Sequence, residues 1–245
     1  AVIKELQCDY ILKGIGSPRY YLGGDILNLL QPEDDAPPTN DPDTTIALSA
    51  ETYIKNAVEK YEQKFGCLIT PYHAPMEHSY HSEEDTTNLL NPKQASLFRG
   101  LIGSANWVVT LGRFDIAYAV NNLARFNMNP RQGHFEAAVR IFGYLKAYPK
   151  GRLYVDPKPF SKSVPEKPAY DWTEFYPDAT EELPHDIPKP LGVEMNTICY
   201  VDTDHAHDTV TRRSVSGIIL FLNGLPVKWY SKRQKTIETS SYGSE

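Results

Sequence analysis

The sequence predicts an α+β protein, in which a short strand or hairpin precedes a mostly helical region and an α/β segment follows. Apolar residues recur at helical spacing within residues 46–150. Short β-rich runs with a hairpin signal follow residue 193. Residues 156–190, which hold 8 of the 19 prolines, separate these parts. We therefore predict three segments: residues 1–155, a proline-rich linker or insertion over 156–192, and residues 193–245.

The first elements are a strand, an acidic loop and a helix. Residues 19–27 are predicted to form a strand, which follows a turn signal at residues 14–18. Residues 31–45 contain four prolines and five acidic residues, which excludes a helix or a central strand. Ser49 is predicted to cap a helix that ends at Gly66. The apolar face of this helix consists of Tyr53, Ile54, Ala57, Val58, Tyr61 and Phe65.

Three more helices are predicted before residue 150. The first covers residues 93–111, and the next two are separated by Asn129-Pro130. Their apolar positions at helical spacing are Leu97, Leu101, Ala105 and Val108, then Ile116, Val120, Leu123 and Ala124, then Phe135, Ala138, Val139, Phe142 and Leu145.

The last segment reads as strand, strand, strand and helix. The predicted strands cover residues 197–201, 214–222 and 226–231, and Asn223-Gly224 is a hairpin-turn signal between the last two. Residues 238–241 offer caps for a helix that the chain end cuts off. This order predicts the first half of an α/β domain.

Composition excludes several classes of protein. No apolar run reaches the roughly 18–20 residues that cross a bilayer, so a membrane protein is excluded. The first residues do not resemble a secretory signal. The three cysteines, Cys8, Cys67 and Cys199, are odd in number and contain no CxxC pair, which favours a reducing compartment over a disulfide scaffold. We expect an intracellular protein, in the cytoplasm or nucleus or within a virus-like particle.

Positive charge is concentrated in one part of the chain. Residues 93–152 carry nine basic and two acidic side chains, whereas residues 1–92 carry six basic and 15 acidic ones. Because lysine and arginine neutralise phosphates, this basic block predicts nucleic-acid binding through phosphates. An ordinary solvated helix face is the alternative. The candidate phosphate contacts are Arg113, Arg125, Arg140 and Lys146.

Several motifs occur together in an order that resembles one family. Residues 103–107, 115–121, 134 and 140–146 resemble the end of the reverse transcriptase in copia-type LTR-retrotransposon Pol polyproteins. Residues 200–204, 212–217, 229–236 and 240–245 resemble the start of the ribonuclease H domain that follows it. The resemblance implies that residues 1–155 hold a palm-edge hairpin, thumb and connection helices, and that residues 193–245 are the N-terminal half of a ribonuclease H-like domain. Phe114 departs from the family, which usually has proline there.

The same resemblance implies roles for individual residues. Asp202 and Glu245 fall at positions where the family holds Mg²⁺ for cleavage of RNA in an RNA–DNA hybrid. The family's further ligands lie downstream, so we expect the 245-residue chain to lack complete active sites and to act with the rest of the Pol polyprotein.

Contacts to the hybrid or primer–template are implied for two further pairs of residues. Ser240 and Ser241 match positions that contact the hybrid, although plain helix capping explains them equally well. Tyr21 and Gly23 resemble a hairpin that grips the primer end, or form an ordinary sheet edge.

Other interpretations remain open at the level of sequence. The protein is a non-catalytic nucleic-acid-binding module or an inactive remnant if Asp202 is only a solvent-facing residue at a strand end. Residues 200–202 also resemble the Tyr-x-Asp-Asp turn of a polymerase, but Thr203 separates the two aspartates. A zinc set would have to use Cys67, His73, His78 and His81, whose spacing matches no familiar finger.

Overall fold

The computed structural model describes residues 10–11, 18–28, 46–155, 174–178, 185–186, 188, 192 and 195–244. These residues form helices and two antiparallel sheets, which confirms the predicted α+β class. The acidic loop at residues 31–45, most of the proline-rich stretch and Glu245 lie outside the described residues. The division into three segments therefore stays a prediction.

The predicted helices are all present. Gly66 ends the first of them in the left-handed conformation, with φ of 69°. Asn91 caps the second, because its side chain accepts a hydrogen bond from the Gln94 N–H at 3.0 Å. Single turns of 3-10 helix lie at Ser82–Glu84 and Phe114–Ile116. The helices are α1 (Glu51–Phe65), α2 (Pro92–Thr110), α3 (Ala117–Ala124), α4 (Gln132–Ala147) and the short α5 (Ser241–Ser244).

The four helices α1, α2, α3 and α4 share one hydrophobic core. Tyr61 of α1 packs edge-on against Phe142 of α4, with 5.0 Å between the ring centroids, and its hydroxyl is 3.0 Å from that of Ser104 on α2. This core contains the apolar residues that the helical periodicity identified. Its largest fully buried apolar side chains are Ile54, Phe98, Leu101, Val108, Ile116, Val120, Leu123, Ile141, Phe142 and Leu145.

The first sheet has four strands in sequential order, β1 (Tyr20–Tyr21), β2 (Gly24–Asn28), β3 (Ile46–Ser49) and β4 (Arg152–Val155). The strand predicted at residues 19–27 is instead a hairpin, because Leu22 and Gly23 turn the chain with φ of 48° and 92°. Neither β3 nor β4 was expected. They pair across about a hundred residues of chain, and the Ser49 hydroxyl donates to the Gly151 carbonyl at 3.1 Å.

The second sheet contains β5 (Thr197–Asp204), β6 (Val215–Leu222) and β7 (Leu225–Arg233), in that order. All three predicted strands are confirmed. Asn223 and Gly224 form the predicted turn, with φ of 47° and 84°. Every residue of β6 is half-buried, although its sequence is a nearly continuous apolar run.

The second sheet docks against the helical region, which comprises α1 to α4. The Trp229 indole N–H on β7 donates to the Val109 carbonyl of α2 at 2.9 Å. Its ring centroid lies 5.7 Å from that of Phe114. Thr209, in the loop after β5, donates from its N–H to Glu83 at 3.0 Å and from its hydroxyl to Glu84 at 2.7 Å. Among the described residues, no helix combines the length and the apolar character that crossing a membrane requires.

Candidate functional site

The candidate site lies on β5 where the second sheet faces the helical region. Asp202 is exposed and pairs with Gly217 of β6, which has no side chain to crowd the carboxylate. A cleft of about 300 Å³ adjoins Asp202, with Tyr118 of α3 and Tyr230 of β7 on its walls. Asp202 is therefore accessible to a ligand that enters between the sheet and the helices.

Asp204 follows Asp202 on the same face of β5, because side chains two residues apart in a strand point to the same side. Its carboxylate is 2.5 Å from Nδ1 of His207, and the other ring nitrogen of His207 is hydrogen-bonded to the Tyr118 hydroxyl. Burial, followed by the negative charges of Asp204 and Glu83, raises the pKa of Tyr118 to about 12. The hydroxyl thus keeps its proton and is hydrogen-bonded to the imidazole. This hydroxyl–imidazole–carboxylate chain links α3 to the sheet and has no activated nucleophile.

The Asp208 carboxylate is held by several hydrogen bonds from both the helical region and the second sheet. It is fully buried and accepts hydrogen bonds from Arg125, the residue directly after α3, from Arg233 of β7 at 2.8 Å and from the Thr211 N–H at 2.7 Å. Burial alone would raise its pKa, but the Thr211 hydrogen bonds and the two arginines lower the pKa of Asp208 to about 2. Asp208 therefore remains ionised and ties the helices to the sheet.

The short helix α5 lies beside the opposite face of the second sheet. The Gln234 amide donates to the Ser216 hydroxyl at 2.9 Å and to the Ser244 carbonyl at 2.6 Å. Ser216 pairs with Thr203, and neighbouring strand residues point to opposite faces, so Asp202 points away from this contact. Glu245 lies outside the described residues. Its meeting with Asp202 stays a prediction.

The serines at the start of α5 have a local explanation. The Ser240 hydroxyl accepts the Gly243 N–H at 3.1 Å, which is an N-cap contact. Ser241 is exposed and is the first residue of the helix. Helix capping thus accounts for Ser240, and contact of either serine with a hybrid stays a prediction.

The described residues do not assemble a metal site by themselves. No three histidine, cysteine, aspartate or glutamate side chains among them are grouped so that they could hold a metal ion. Cleavage with two Mg²⁺ ions needs several carboxylates around both ions, so Asp202 alone does not fit this requirement. Cys67, His73, His78 and His81 likewise do not form a group that could hold a metal ion within the described part of the chain.

All four predicted phosphate contacts are paired with carboxylates of the protein. Arg113 is buried and donates from Nε and Nη2 to Asp115 at 3.0 and 2.8 Å. Arg125 binds Asp208, as described above. The other two pairs are Arg140 with Glu77 at 2.9 Å and Lys146 with Glu62 at 2.6 Å.

This pairing gives the four cations a structural role that the sequence did not indicate. Lys93 and Arg99 of α2 are exposed, as are Lys150 and Arg152 near β4, and none of these four forms an ion pair with a carboxylate of the described residues. Eight of the nine cations of the basic block therefore fall into a paired class and an exposed class, and the ninth, Arg131, donates to the Thr87 carbonyl. Phosphate binding by the paired class stays a prediction.

The hairpin residues Tyr21 and Gly23 have different environments. Tyr21 is 68% exposed, whereas Gly23, in the turn of the hairpin, is buried. A Cβ at Gly23 would lie 3.0 Å from the Trp107 indole nitrogen, and its φ of 92° also favours glycine. Packing thus explains Gly23, while Tyr21 is open to a ligand.

His134, part of the resemblance, is a buried structural residue. Its Nε2–H donates to the Ser82 carbonyl at 2.8 Å, and Nδ1 accepts the Arg131 N–H at 3.1 Å. These two contacts require the neutral ring. Burial lowers the pKa of His134, which keeps the ring neutral.

Sequence reasoning selected Asp202 but did not select Tyr118, His207 or Asp208. The run Asp204-His205-Ala206-His207-Asp208 was a usable signal, because it places two histidines between two carboxylates directly after Asp202. Tyr118 gave no such signal, since one tyrosine on a predicted helix is usually a packing residue.

Comparisons with known proteins give related sequences. The chain is 28% identical over 159 residues to the retrovirus-related Pol polyprotein from transposon RE1 of Arabidopsis thaliana, an alignment that covers 65% of this chain and 8% of that polyprotein. It is 26% identical over 236 residues to the putative transposon Ty5-1 protein of Saccharomyces cerevisiae, which covers 96% of this chain and 60% of that protein.

An uncharacterized mitochondrial protein of Arabidopsis thaliana is 24% identical over all 245 residues, with 79% of its own length covered. No protein-family profile and no solved structure matches the chain. The chain thus spans only a small part of the polyproteins it resembles. By these relationships, the chain is a homologue of retrotransposon Pol polyproteins.

Proposed function

We propose that this chain is the part of a copia-type Pol polyprotein in which the reverse transcriptase ends and the ribonuclease H domain begins. The observation that carries the proposal is the second sheet, a three-stranded antiparallel meander whose first strand presents Asp202 to an open cleft. It follows a helical region that carries the basic block, in the order that the sequence resemblance implies. The ligand is an RNA–DNA hybrid or primer–template, and the site of action is intracellular, in the cytoplasm, the nucleus or a virus-like particle.

The proposed magnesium site would draw two of its ligands from this chain. Asp202 and Glu245 are the proposed protein ligands, and the bound ions would supply the activated water and stabilise the leaving oxygen. Since the described residues alone do not form a metal site, we derive no step of the reaction from them. The rest of the Pol polyprotein is the proposed source of the further ligands.

Hybrid binding rests on the exposed class of cations. A lysine or arginine that is already paired with a carboxylate of the protein gives up that interaction when it binds a phosphate, whereas an unpaired one does not. Lys93 and Arg99 of α2 are therefore the strongest candidates for the first phosphate contacts. Tyr21, exposed on the hairpin, offers a flat apolar surface to the same ligand.

The experiment measures binding of a short RNA–DNA hybrid to the 245-residue chain at several salt concentrations. Each lost phosphate contact should lower the slope of log affinity against log salt by about 0.7–0.9. We expect Lys93→Ala and Arg99→Ala each to lower the slope. The matched variant Arg140→Ala removes a paired cation and should leave the slope unchanged. A slope near zero for the unmodified chain would contradict the proposal.

A non-catalytic nucleic-acid-binding module or inactive remnant is the second candidate function. It is favoured by the internal pairing of four block cations, which leaves fewer charges free for a phosphate backbone. We expect the 245-residue chain to bind a hybrid with Mg²⁺ present and not to cut it. In the complete polyprotein, Asp202→Asn and Glu245→Gln should each abolish RNA cleavage. Undiminished cleavage in either variant would remove that residue from the site and favour the second candidate.

A further inference from the structure

A large cavity that does not include Asp202 lies between the end of α4 and the start of β4. Its volume is about 640 Å³, within the range of roughly 300–1,000 Å³ that is usual for small-molecule sites. We call it the α4–β4 pocket, and its chemically distinctive lining residues are Arg113, Asp115, Tyr144, Tyr148, Lys150 and Arg152.

The floor of the α4–β4 pocket is fixed. The buried Arg113 side chain binds Asp115 and also donates from Nη1 to the Tyr148 carbonyl at 2.7 Å. Its guanidinium carbon lies 5.8 Å from the centre of the Tyr144 ring. Gly151 allows this arrangement, because a Cβ there would lie 2.5 Å from Cδ of Arg113. The pocket is therefore preformed.

Aromatic rings form one wall. The ring centroids of Tyr144 and Tyr148 are 5.2 Å apart, and Tyr148 is 44% exposed toward the opening. The Tyr148 hydroxyl is 2.7 Å from Nδ1 of His73, which orients the ring. An exposed ring held in one orientation is a stacking platform for a planar group.

The rim carries positive charge. Lys150 and Arg152 are both exposed, and neither forms an ion pair within the described part of the chain. The pKa of Glu51 is lowered mainly by its hydrogen bond from Lys55, with a further contribution from the positive charges of Lys150 and Arg152. The rim is thus suited to an anionic group such as a phosphate.

Asp115 adds an acceptor inside the pocket. Its carboxylate accepts hydrogen bonds from Arg113 and from the Tyr144 hydroxyl at 2.9 Å, and it remains partly exposed. A carboxylate has about four acceptor positions, so at least one remains for a ligand hydroxyl or amino group. A sugar hydroxyl or an exocyclic amine of a base meets this requirement.

We propose that the α4–β4 pocket binds a nucleoside phosphate, with the base stacked on Tyr148, a hydroxyl or amino group at Asp115, and the phosphate at Lys150 and Arg152. The ligand is either a free mononucleotide or an unpaired nucleotide of a single strand. The proposal shares only a ligand class with the proposed function and does not depend on hybrid cleavage. Phe114 lines both this pocket and the Asp202 cleft, so the pocket opens beside the candidate site.

The test measures binding of a fluorescent ten-nucleotide single strand to the 245-residue chain by anisotropy. Stacking on an aromatic ring is worth roughly 1–3 kcal/mol per base, so Tyr148→Ala should weaken binding about five- to hundredfold. Tyr148→Phe keeps the ring and should retain the affinity, even though it loses the contact to His73. Tyr154→Ala is the matched control, because Tyr154 is exposed on β4 and does not line the pocket.

The phosphate contact has its own measurement. Lys150→Ala should lower the salt slope of single-strand binding by about 0.7, and Lys93→Ala should not. Equal losses of single-strand affinity in Tyr148→Ala and Tyr154→Ala would overturn the proposal. If Tyr148→Ala fails to fold, a single strand that contains 5-iodouridine is crosslinked to the unmodified protein instead. We expect crosslinks at Tyr144 or Tyr148. Crosslinks at other residues only would contradict the proposal.

Competition separates the two sources of the ligand. Displacement of the strand by uridine monophosphate indicates a mononucleotide site, and displacement only by unlabelled strand indicates an unpaired nucleotide. Displacement by ribose 5-phosphate as effective as that by uridine monophosphate would contradict base stacking. A blunt RNA–DNA hybrid is measured in parallel, and Tyr148→Ala should change its affinity less than twofold. If the unmodified chain binds the single strand but not the hybrid, the proposed function is contradicted and the proposed nucleotide site is not.

Discussion

The helical region and the second sheet are stabilised in different ways. The helical region buries large apolar side chains from all four helices in one core. Among the described residues of 195–244, Ala206 is the only buried hydrophobic residue, and the other buried residues there are Asp208, Ser214 and Ser244. The helices therefore depend on apolar burial, whereas the sheet depends on its backbone pairing and on polar contacts to the helices.

This difference assigns two roles to the loop between β5 and β6. The loop connects two strands, and it also carries His207, Asp208 and Thr209, which bind α3 and the Ser82–Glu84 turn. Polar contacts are directional, so they fix orientation more strictly than apolar contacts of similar strength. We infer that the loop sets where Asp202 lies relative to the helices.

The largest expected effect comes from opening the helical core. Phe142→Ala should destabilise the protein by about 3–5 kcal/mol, because it removes a fully buried ring that packs against Tyr61. Phe221→Ala, the matched change on half-buried β6, should cost about 1–2 kcal/mol. Urea unfolding followed by circular dichroism measures both. Equal losses of unfolding free energy in Phe142→Ala and Phe221→Ala would show that the helical region and the second sheet do not differ in this way.

The next effect comes from the buried carboxylate. Asp208→Asn leaves Arg125 and Arg233 without their shared partner and should destabilise docking of the sheet by about 2–4 kcal/mol. Limited proteolysis should then cut residues 205–213 faster while the helices stay resistant. Asp202→Asn makes the same change on an exposed residue and should leave the cutting rate unaltered. Unchanged proteolysis in Asp208→Asn would contradict the docking role of the loop.

Acid should weaken the two regions in different pH ranges. The lowered pKa of His134 favours the folded state above its unfolded value near 6.5, and this stability is lost as the pH falls through the lowered value. The pKa of Asp208 near 2 gives stability that is complete above about 4 and is lost between about 4 and 2.

Helical circular dichroism measures the helical region during urea unfolding across pH 2–8. Trp229 fluorescence measures the second sheet in a variant in which the other two tryptophans, Trp107 and Trp172, are replaced by phenylalanine. The helical signal should lose stability first, below about pH 6.5. The Asp208→Asn variant should show a weaker dependence below pH 4 than the unmodified chain, with a remainder from Asp85, whose pKa is also lowered, and it should keep the dependence above pH 4. A dependence below pH 4 as large as that of the unmodified chain would contradict the assignment to Asp208.

The smallest expected effect concerns Trp229. Trp229→Phe removes the hydrogen bond to the Val109 carbonyl and should cost about 1 kcal/mol. Trp107→Phe is the control, because Trp107 is partly exposed on α2, and it should change stability by less than about 0.5 kcal/mol. Chemical denaturation at pH 7 compares the two. A larger cost for Trp107→Phe would place the tighter tryptophan contact at the hairpin and not at the second sheet.

Local patterns in the sequence were sufficient for most of the secondary structure. The helices from α1 to α4 followed from the spacing of apolar residues, from Gly66 and from the break at Asn129-Pro130. The strands of the second sheet followed from short β-rich runs and the Asn223-Gly224 turn. Such signals act over a few residues and need no knowledge of the rest of the chain.

Only the tertiary structure decided the pairing of β3 with β4 and the partners of charged groups. Strand β3 has four residues, and its partner lies about a hundred residues later, so no local pattern identifies it. A count of basic residues likewise cannot show that Arg113 and Arg125 bind Asp115 and Asp208, because an ion pair depends on distance in space. The sequence by itself determined the helices, the strands of the second sheet and the concentration of positive charge, and folding determined the first sheet and which of those charges remain exposed for a ligand.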